Sequence, residues 1–245
     1  IVITGKGSEV IPGLEKLNIP ISYFDKYANP TEKPSLKKEV PKGVTAKSVF
    51  DNYIKAIGGE KAVASVKTIA MLGSTTMPQA PSPLTFTSKM DARGKMMVSL
   101  AMGPMNLMKQ VVNEKEAYIE QQGQRKNLEG KDLADMKASA IPFEELHLSK
   151  KEGLIIDHIE PINNNDAYAI KDGKTTYFFD TKSGLKVAEA KVSEQAGKSI
   201  TQITNFGDYK DVKGVKFPFN IIQNVGFELN IKMSEVKINE GVTDK

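Results

Sequence analysis

Alternation of apolar and polar side chains is the main pattern of the chain from about residue 67 onward. Leu84, Phe86 and Met90 share one parity, and Leu100 belongs to a second run of the same kind at residues 96–102. The letters DARG at residues 91–94 separate the two runs and predict a hairpin turn. Period-two runs joined by such turns predict an antiparallel sheet with one apolar face. About eleven such runs predict a sheet that curls rather than stays flat.

One run changes phase, which predicts a local irregularity. The alternation through Leu229 and Met233 slips by one residue before Val236. A single inserted residue on a strand is typical of a β-bulge, which bends the sheet.

Helical spacing occurs in only a few places. Thr45 can cap a helix over residues 45–57, in which Val49 and Tyr53 share a face, and a short helix follows at residues 60–66. Residues 131–138 predict another helix, ending before Pro142. These helices need an apolar surface to cover, and the concave face of the sheet can provide it. The fold class predicted is mainly β (α+β): a curved antiparallel incomplete β-barrel with covering helices.

Composition divides the chain into three parts. Residues 1–24 predict a short β-α-β unit, which is too small to bury a core by itself and indicates the remnant of an upstream domain. Residues 25–44 are rich in Pro, Lys and Glu and predict an extended linker. Residues 45–245 form the half-barrel domain.

Residue types exclude several kinds of chemistry. The chain has 245 residues, with no cysteine and two histidines, and its formal net charge is +4. Thiolate metal sites, disulfides and cysteine nucleophiles are therefore excluded. His147 and His158 lack the spacing of a zinc motif, and Glu144 and Glu145 are adjacent, which favours a solvated face over paired acid–base chemistry. We expect no metal, no other cofactor and no catalytic activity in this chain.

Two classes of partner are also disfavoured. Arg93 and Arg125 are the only arginines, which argues against nucleic acid. The apolar stretches are much shorter than the roughly 18–20 residues of a transmembrane helix.

Methionines are concentrated between residues 90 and 108. Methionine adapts to varied apolar shapes, so this stretch fits either a flexible core or an adaptable binding surface. If the concave face binds a ligand, parity predicts a lining of nine residues: Phe86, Met90, Met96, Val98, Leu100, Phe217, Phe219, Phe227 and Leu229.

Two motifs give the third part a resemblance to a known family. They are YFFDTKSGLK at residues 177–186 and NFGDYKDVKGVKFP at residues 205–218. In this order, the strand, the turn and the following strands resemble the outer-membrane lipoprotein carrier and receptor family (LolA/LolB-like). The resemblance implies an incomplete β-barrel with helices as a lid, an apolar cavity for acyl chains and a location in the periplasm or cell envelope of a Gram-negative bacterium.

The first part carries a shorter resemblance. IVITG at residues 1–5 and IPISYFD at residues 19–25 resemble the C-terminal end of pitrilysin/insulinase-type zinc peptidases. The zinc motif of that family is absent here, so the resemblance implies a peptidase-like domain upstream and assigns no peptidase activity to this chain.

Together these observations predict a non-catalytic C-terminal module that binds a hydrophobic ligand, such as a lipid, an acyl chain or an apolar peptide. The alternative is a structural or interaction module whose filled core positions the parent peptidase.

Overall fold

A single large antiparallel sheet dominates the computed structural model, which describes residues 1–5, 7–25, 27–33, 36–77, 82–121, 123–195, 198–224 and 228–242. Thirteen strands form it: β3 (Thr68–Thr75), β4 (Leu84–Asp91), β5 (Met96–Met102), β6 (Met105–Val112), β7 (Ala117–Gln121), β8 (Gln124–Asn127), β9 (Ile155–Ile162), β10 (Asn165–Asp172), β11 (Thr175–Asp180), β12 (Lys186–Gln195), β13 (Lys198–Val212), β14 (Val215–Asn224) and β15 (Glu228–Ile238). Their spatial order is β8-β7-β6-β5-β4-β3-β15-β14-β13-β12-β11-β10-β9. The sheet is curved and open, which confirms the predicted incomplete barrel with two strands more than expected.

Five helices accompany the sheet in the described part of the chain: α1 (Gly7–Glu15), α2 (Ala46–Ala56), α3 (Glu60–Ala64), α4 (Gly130–Ser139) and α5 (Glu145–Leu148). The capping prediction for α2 is confirmed, because Thr45 and Ser48 form a reciprocal capping box. α2 buries Val49, Phe50 and Tyr53 against the sheet. The ring of Phe50 meets the rings of Tyr177 and Phe179 edge-on, at centroid distances of 6.2 and 5.2 Å.

Strand register shows that the helical covers share one face of the sheet. Ile69 lies opposite Met90, and Met90 lies opposite Met96, so all three side chains project to the same side. Ile69 belongs to the apolar cluster under α2, whereas Met90 and Met96 belong to the cluster under α4. We call this side the inner face.

The predicted phase slip is confirmed as a register shift between Met233 and Glu235, where β15 pairs with β3. Gly73 lies opposite Met233 at this point, and a Cβ added there would come within 2.7 Å of the carbonyl oxygen of Lys232. The close approach of the two backbones therefore requires glycine.

The N-terminal segment differs from its predicted β-α-β pattern. Residues 1–5 have no regular secondary structure, and β1 (Tyr23–Phe24) pairs instead with β2 (Pro30–Thr31). Ile1 and Val2 are fully exposed, so apolar character alone did not place this run in a sheet.

Part of the predicted linker attaches to the sheet. The backbone N–H of Lys38 donates to the Ile159 carbonyl at 2.7 Å, and the N–H of Ile159 donates to the Lys38 carbonyl at 2.9 Å. The Lys38 ammonium also contacts the Asp166 carboxylate at 2.6 Å. This segment therefore lies along the outer edge of β9.

Candidate functional site

An apolar strip crosses the inner face between the two helical covers. Its buried members are Leu84, Leu100, Leu229, Ile231 and Met233, and the half-buried side chains packed against them include Phe86, Met102, Leu107, Met108, Phe219 and Ile221. All of these residues lie on strands. Among the described residues, no helix contributes a side chain to the strip, so its half-buried members form its accessible surface.

Register joins the strip into one continuous surface. Leu100 lies opposite Phe86, and Phe86 lies opposite Gly73. Gly73 in turn lies opposite Met233, whose sulfur would be 3.0 Å from a Cβ added at Gly73. The missing side chain at Gly73 therefore leaves room that Met233 occupies between the larger neighbours.

Only part of the predicted lining lies in this strip. Phe86, Leu100, Phe219 and Leu229 belong to it, and Phe219 also contacts the cluster under α2. Phe227 lies outside the described residues. Met102 also belongs to the strip; it lies in the alternating run at residues 96–102 and shares the parity of Leu100, but it is not among the nine predicted lining residues.

The other predicted lining residues are covered by helices. Met90, Met96 and Val98 pack with Leu133 and Met136 of α4 or their neighbours. Phe217 is only 2% exposed, and the Phe143 ring lies 5.5 Å from its own. These side chains pack beneath α4 or beneath the segment that leads into α5, and parity alone cannot show where such a segment will lie.

A buried ionic cluster lies beside the α2 cover. The Lys186 ammonium contacts Glu145 Oε1 at 2.5 Å and Glu189 Oε2 at 3.7 Å. It also lies 4.9 Å from the centre of the Phe206 ring. Burial alone lowers the pKa of Lys186, but the carboxylates of Glu145, Glu189 and Glu144 outweigh it and raise the pKa well above its usual value.

Glu144 completes this cluster and corrects the expected solvated acidic face. Glu145 is only 3% exposed, and Glu144 is half-buried. Burial raises the pKa of Glu144 to about 7, although the nearby Lys186 ammonium opposes the change. Glu145 is the first residue of α5 and Glu144 directly precedes it. Because α5 packs against α2, both carboxyl groups lose exposure to solvent, and adjacency in sequence does not reveal this.

Three tyrosines, Tyr53, Tyr177 and Tyr209, lie next to this ionic cluster. The hydroxyl of Tyr209 donates to the Lys186 carbonyl at 2.8 Å. Burial raises the pKa values of Tyr53, Tyr177 and Tyr209 far above the usual range, so all three remain protonated hydrogen-bond donors at physiological pH. The arrangement therefore anchors α5 to β12 through polar contacts.

The two histidines lie apart from this cluster. His147 is exposed on α5, and His158 Nδ1 lies 2.9 Å from Asp157 Oδ2 on β9. Across the described ranges, no three histidine or carboxylate side chains are grouped in a way that could hold a metal ion.

In the same part of the chain, no helix is both long and apolar enough to span a bilayer.

Comparison with solved structures identifies the fold. A LolA superfamily protein from Nitrosomonas europaea matches with a TM-score of 0.51 and 11% identity, over 82% of this chain and 96% of that one. A DUF1329 family protein from Desulfovibrio piger matches with a TM-score of 0.52 and 10% identity, over 81% and 95%. An outer membrane lipoprotein-sorting protein domain from Vibrio parahaemolyticus gives 0.50 and 11%, over 81% and 94%.

These neighbours confirm the predicted LolA-like fold. No family model and no curated protein matches the chain. None of the comparisons supports the expected fusion to a pitrilysin-type peptidase.

Proposed function

We propose that this chain binds the hydrocarbon part of a lipid, such as an acyl chain, on the apolar strip. The observation that carries the proposal is the strip itself, a continuous run of apolar side chains, many of them half-buried, between two regions of the inner face that helices already cover. A solvent-facing apolar surface with this outline is typical of a ligand or partner site. The shared LolA-like fold supports the same interpretation.

The chemistry of the strip fits a hydrocarbon better than a polar ligand. Its accessible members are aliphatic, aromatic or thioether side chains, including Phe86, Met102, Met108 and Ile221. Methionine side chains adapt to varied shapes, so the strip suits acyl chains of different length. Each buried methylene contributes roughly 0.8 kcal/mol, so a chain of about ten methylenes can offset the entropic cost of binding.

The broader context forms part of the same proposal. A periplasmic or envelope location agrees with the lipoprotein-sorting domain among the neighbours. We propose a binding role without catalysis for this chain. An upstream peptidase-like domain, with residues 1–24 as its remnant and residues 25–44 as the linker, is supported only by the short resemblance of residues 1–5 and 19–25.

One observation favours the alternative of a structural module. Met90, Met96, Val98 and Phe217 pack beneath helices, so much of the inner face is filled. On this alternative the strip would be the place where a partner protein docks, and hydrocarbon probes would bind no better than to other surfaces.

A fluorescent fatty-acid probe separates the two functions. Phe86→Asp and Ile221→Asp each place a charge on the strip, and we expect either change to weaken probe binding by about tenfold or more, because a carboxylate resists burial against hydrocarbon. Leu72→Asp is the matched control, since Leu72 is 41% exposed and projects to the opposite face of β3.

Folding of each variant is verified by circular dichroism before binding is measured. Undiminished binding in both folded strip variants, or an equal loss in Leu72→Asp, would contradict the proposal. Leu100→Asp serves as a harsher test, because Leu100 is buried in the middle of the strip. Native mass spectrometry of the purified chain gives an independent measurement of co-purified lipid.

A further inference from the structure

A cavity that is open to solvent and separate from the apolar strip has polar walls and an excess of positive charge. It has a volume of about 560 Å³ and lies between α2, the turn after β11 and the start of β14. Three lysines line it, one from each of these segments: Lys55, Lys182 and Lys216. Among the described lining residues Asp180 is the only one with a carboxylate, so the formal charges of the lining residues sum to +2.

The lysines are available for a ligand. Lys55, Lys182 and Lys216 are all exposed, and none forms an ion pair with a described residue. Asp180, by contrast, is occupied within its own turn. Its Oδ1 accepts from the backbone N–H groups of Lys182 and Ser183, at 3.1 and 2.6 Å, and from the Ser183 hydroxyl at 2.7 Å.

Close backbone packing fixes the three segments in position. Gly184 adopts φ +71°, and a Cβ added there would come within 3.3 Å of the Asn52 carbonyl oxygen on α2. Gly58 adopts φ +137°, and a Cβ there would collide with the carbonyl oxygen of Gly214. The backbone N–H of Lys216 donates to the Ile57 carbonyl at 2.8 Å. The end of α2 is therefore held between the two turns, and the cavity does not have to be assembled by a ligand.

The same contacts reduce the negative potential at the C-terminal end of α2. The Ile57 carbonyl accepts from Lys216, and the Ile54 carbonyl accepts from the N–H of Gly59 at 2.8 Å. Carbonyl groups that already accept hydrogen bonds repel an anion less than unpaired ones would. The three lysines therefore carry most of the formal charge of the lining.

The geometry points to a binding site for a phosphate ester in this cavity. Lysine binds phosphate as a point charge, and each of the three segments places one lysine in the lining, so a phosphate group bound there can meet more than one ammonium group. The cavity also has room for a small organic part next to the phosphate. The same chemistry occurs in soluble phosphate esters and in phospholipid headgroups. This inference does not rest on the acyl-binding proposal, because none of the strip residues lines the cavity.

The first test is a titration of the whole chain with inorganic phosphate and with glycerol 3-phosphate, followed by ¹H–¹⁵N NMR. We expect saturable shifts confined to the amides of residues 52–58, 180–184 and 215–217. The Lys55→Gln/Lys182→Gln/Lys216→Gln variant should lose affinity by about tenfold or more, as expected when charge-assisted hydrogen bonds are removed.

The control variant carries Gln at Lys42, Lys115 and Lys191, which are exposed and lie outside the cavity. It has the same net charge as the test variant, so a general electrostatic effect would weaken both equally. Shifts spread evenly over the surface, equal losses in the two variants, or unchanged affinity in the test variant would overturn the inference.

The second test distinguishes the two sources of phosphate. Flotation with vesicles of phosphatidylcholine, with and without phosphatidic acid, is compared for the wild-type and triple-variant chains. Lysine-dependent flotation with phosphatidic acid identifies a lipid headgroup, whereas lysine-dependent binding of glycerol 3-phosphate without flotation identifies a soluble ester. Retained binding of the fatty-acid probe in the triple variant would show that this result is independent of the apolar strip.

Discussion

Replacing Glu144 by glutamine is expected to stabilise the protein above neutral pH and to leave it almost unchanged in acid. The carboxyl group of Glu144 faces Lys186, Glu145, Glu189 and the hydroxyl of Tyr177. Burial raises its pKa from an ordinary value of 4.5 to about 7, against the opposing effect of Lys186. Glutamine keeps the shape of the neutral side chain and cannot ionise, so the substitution removes only the titration.

The magnitude follows from the two pKa values. The folded protein binds this proton more tightly than the unfolded chain, so the stability linked to it is fully present below pH 4.5 and is lost as the pH rises through about 7. The difference of about 2.5 between the values corresponds to roughly 3 kcal/mol at 1.36 kcal/mol for each pKa unit. Glu144→Gln should therefore exceed the wild type by up to roughly 3 kcal/mol at pH 8.

Urea unfolding of both proteins at pH 5, 6, 7 and 8 measures this difference directly. Other titrating groups are common to both chains, so their contributions cancel in the comparison. Glu152→Gln is the matched control, because Glu152 is exposed and the change removes one carboxyl group of the same kind. The reasoning is refuted if the wild type and Glu144→Gln lose stability in parallel between pH 5 and pH 8.

Three further changes test the contacts that hold the fold. Lys186→Met should cost about 3–5 kcal/mol in urea unfolding, because it leaves Glu145 buried without its partner, and adding Glu145→Gln should restore much of the loss; an equal or larger loss in the double variant would contradict this. Gly58→Ala should lower the free energy of unfolding by about 2 kcal/mol or more, since its φ of +137° and the carbonyl of Gly214 leave no room for a Cβ, and an unchanged thermal midpoint would disprove it. Thr45→Ala should cost about 1 kcal/mol through loss of the capping box, whereas Thr45→Ser should retain most of the stability.

Local patterns in the sequence predicted much of the sheet. The hairpin of β4 and β5 follows from alternation on either side of residues 91–94, and the slip after Met233 appears as a register shift. Each of these features is encoded by neighbouring residues, since period-two alternation and turn chemistry act over a few positions. The short strand β8 was missed because its residues QRKN are all exposed and have no apolar alternation.

The site depended on contacts that no local pattern encodes. Phe217 and Phe219 share parity, yet Phe217 lies under Phe143 whereas Phe219 reaches the open strip. Lys186 finds its partner Glu145 from 41 residues away. Where each helix lies decides which apolar residues become core and which acidic residues become buried, and this depends on tertiary packing.

The attachment of Lys38 along β9 bears on whether copies of this chain can pair through the edges of their sheets. An open sheet exposes unpaired N–H and C=O groups along the edge strand at each of its two ends, here β8 and β9. Such groups can pair with a strand from another molecule. At one end, the Lys38 backbone already occupies the pairing groups of Ile159. At the other, β8 offers only four polar residues. We therefore expect this half-barrel to remain open without the edge-to-edge association that unprotected edge strands promote.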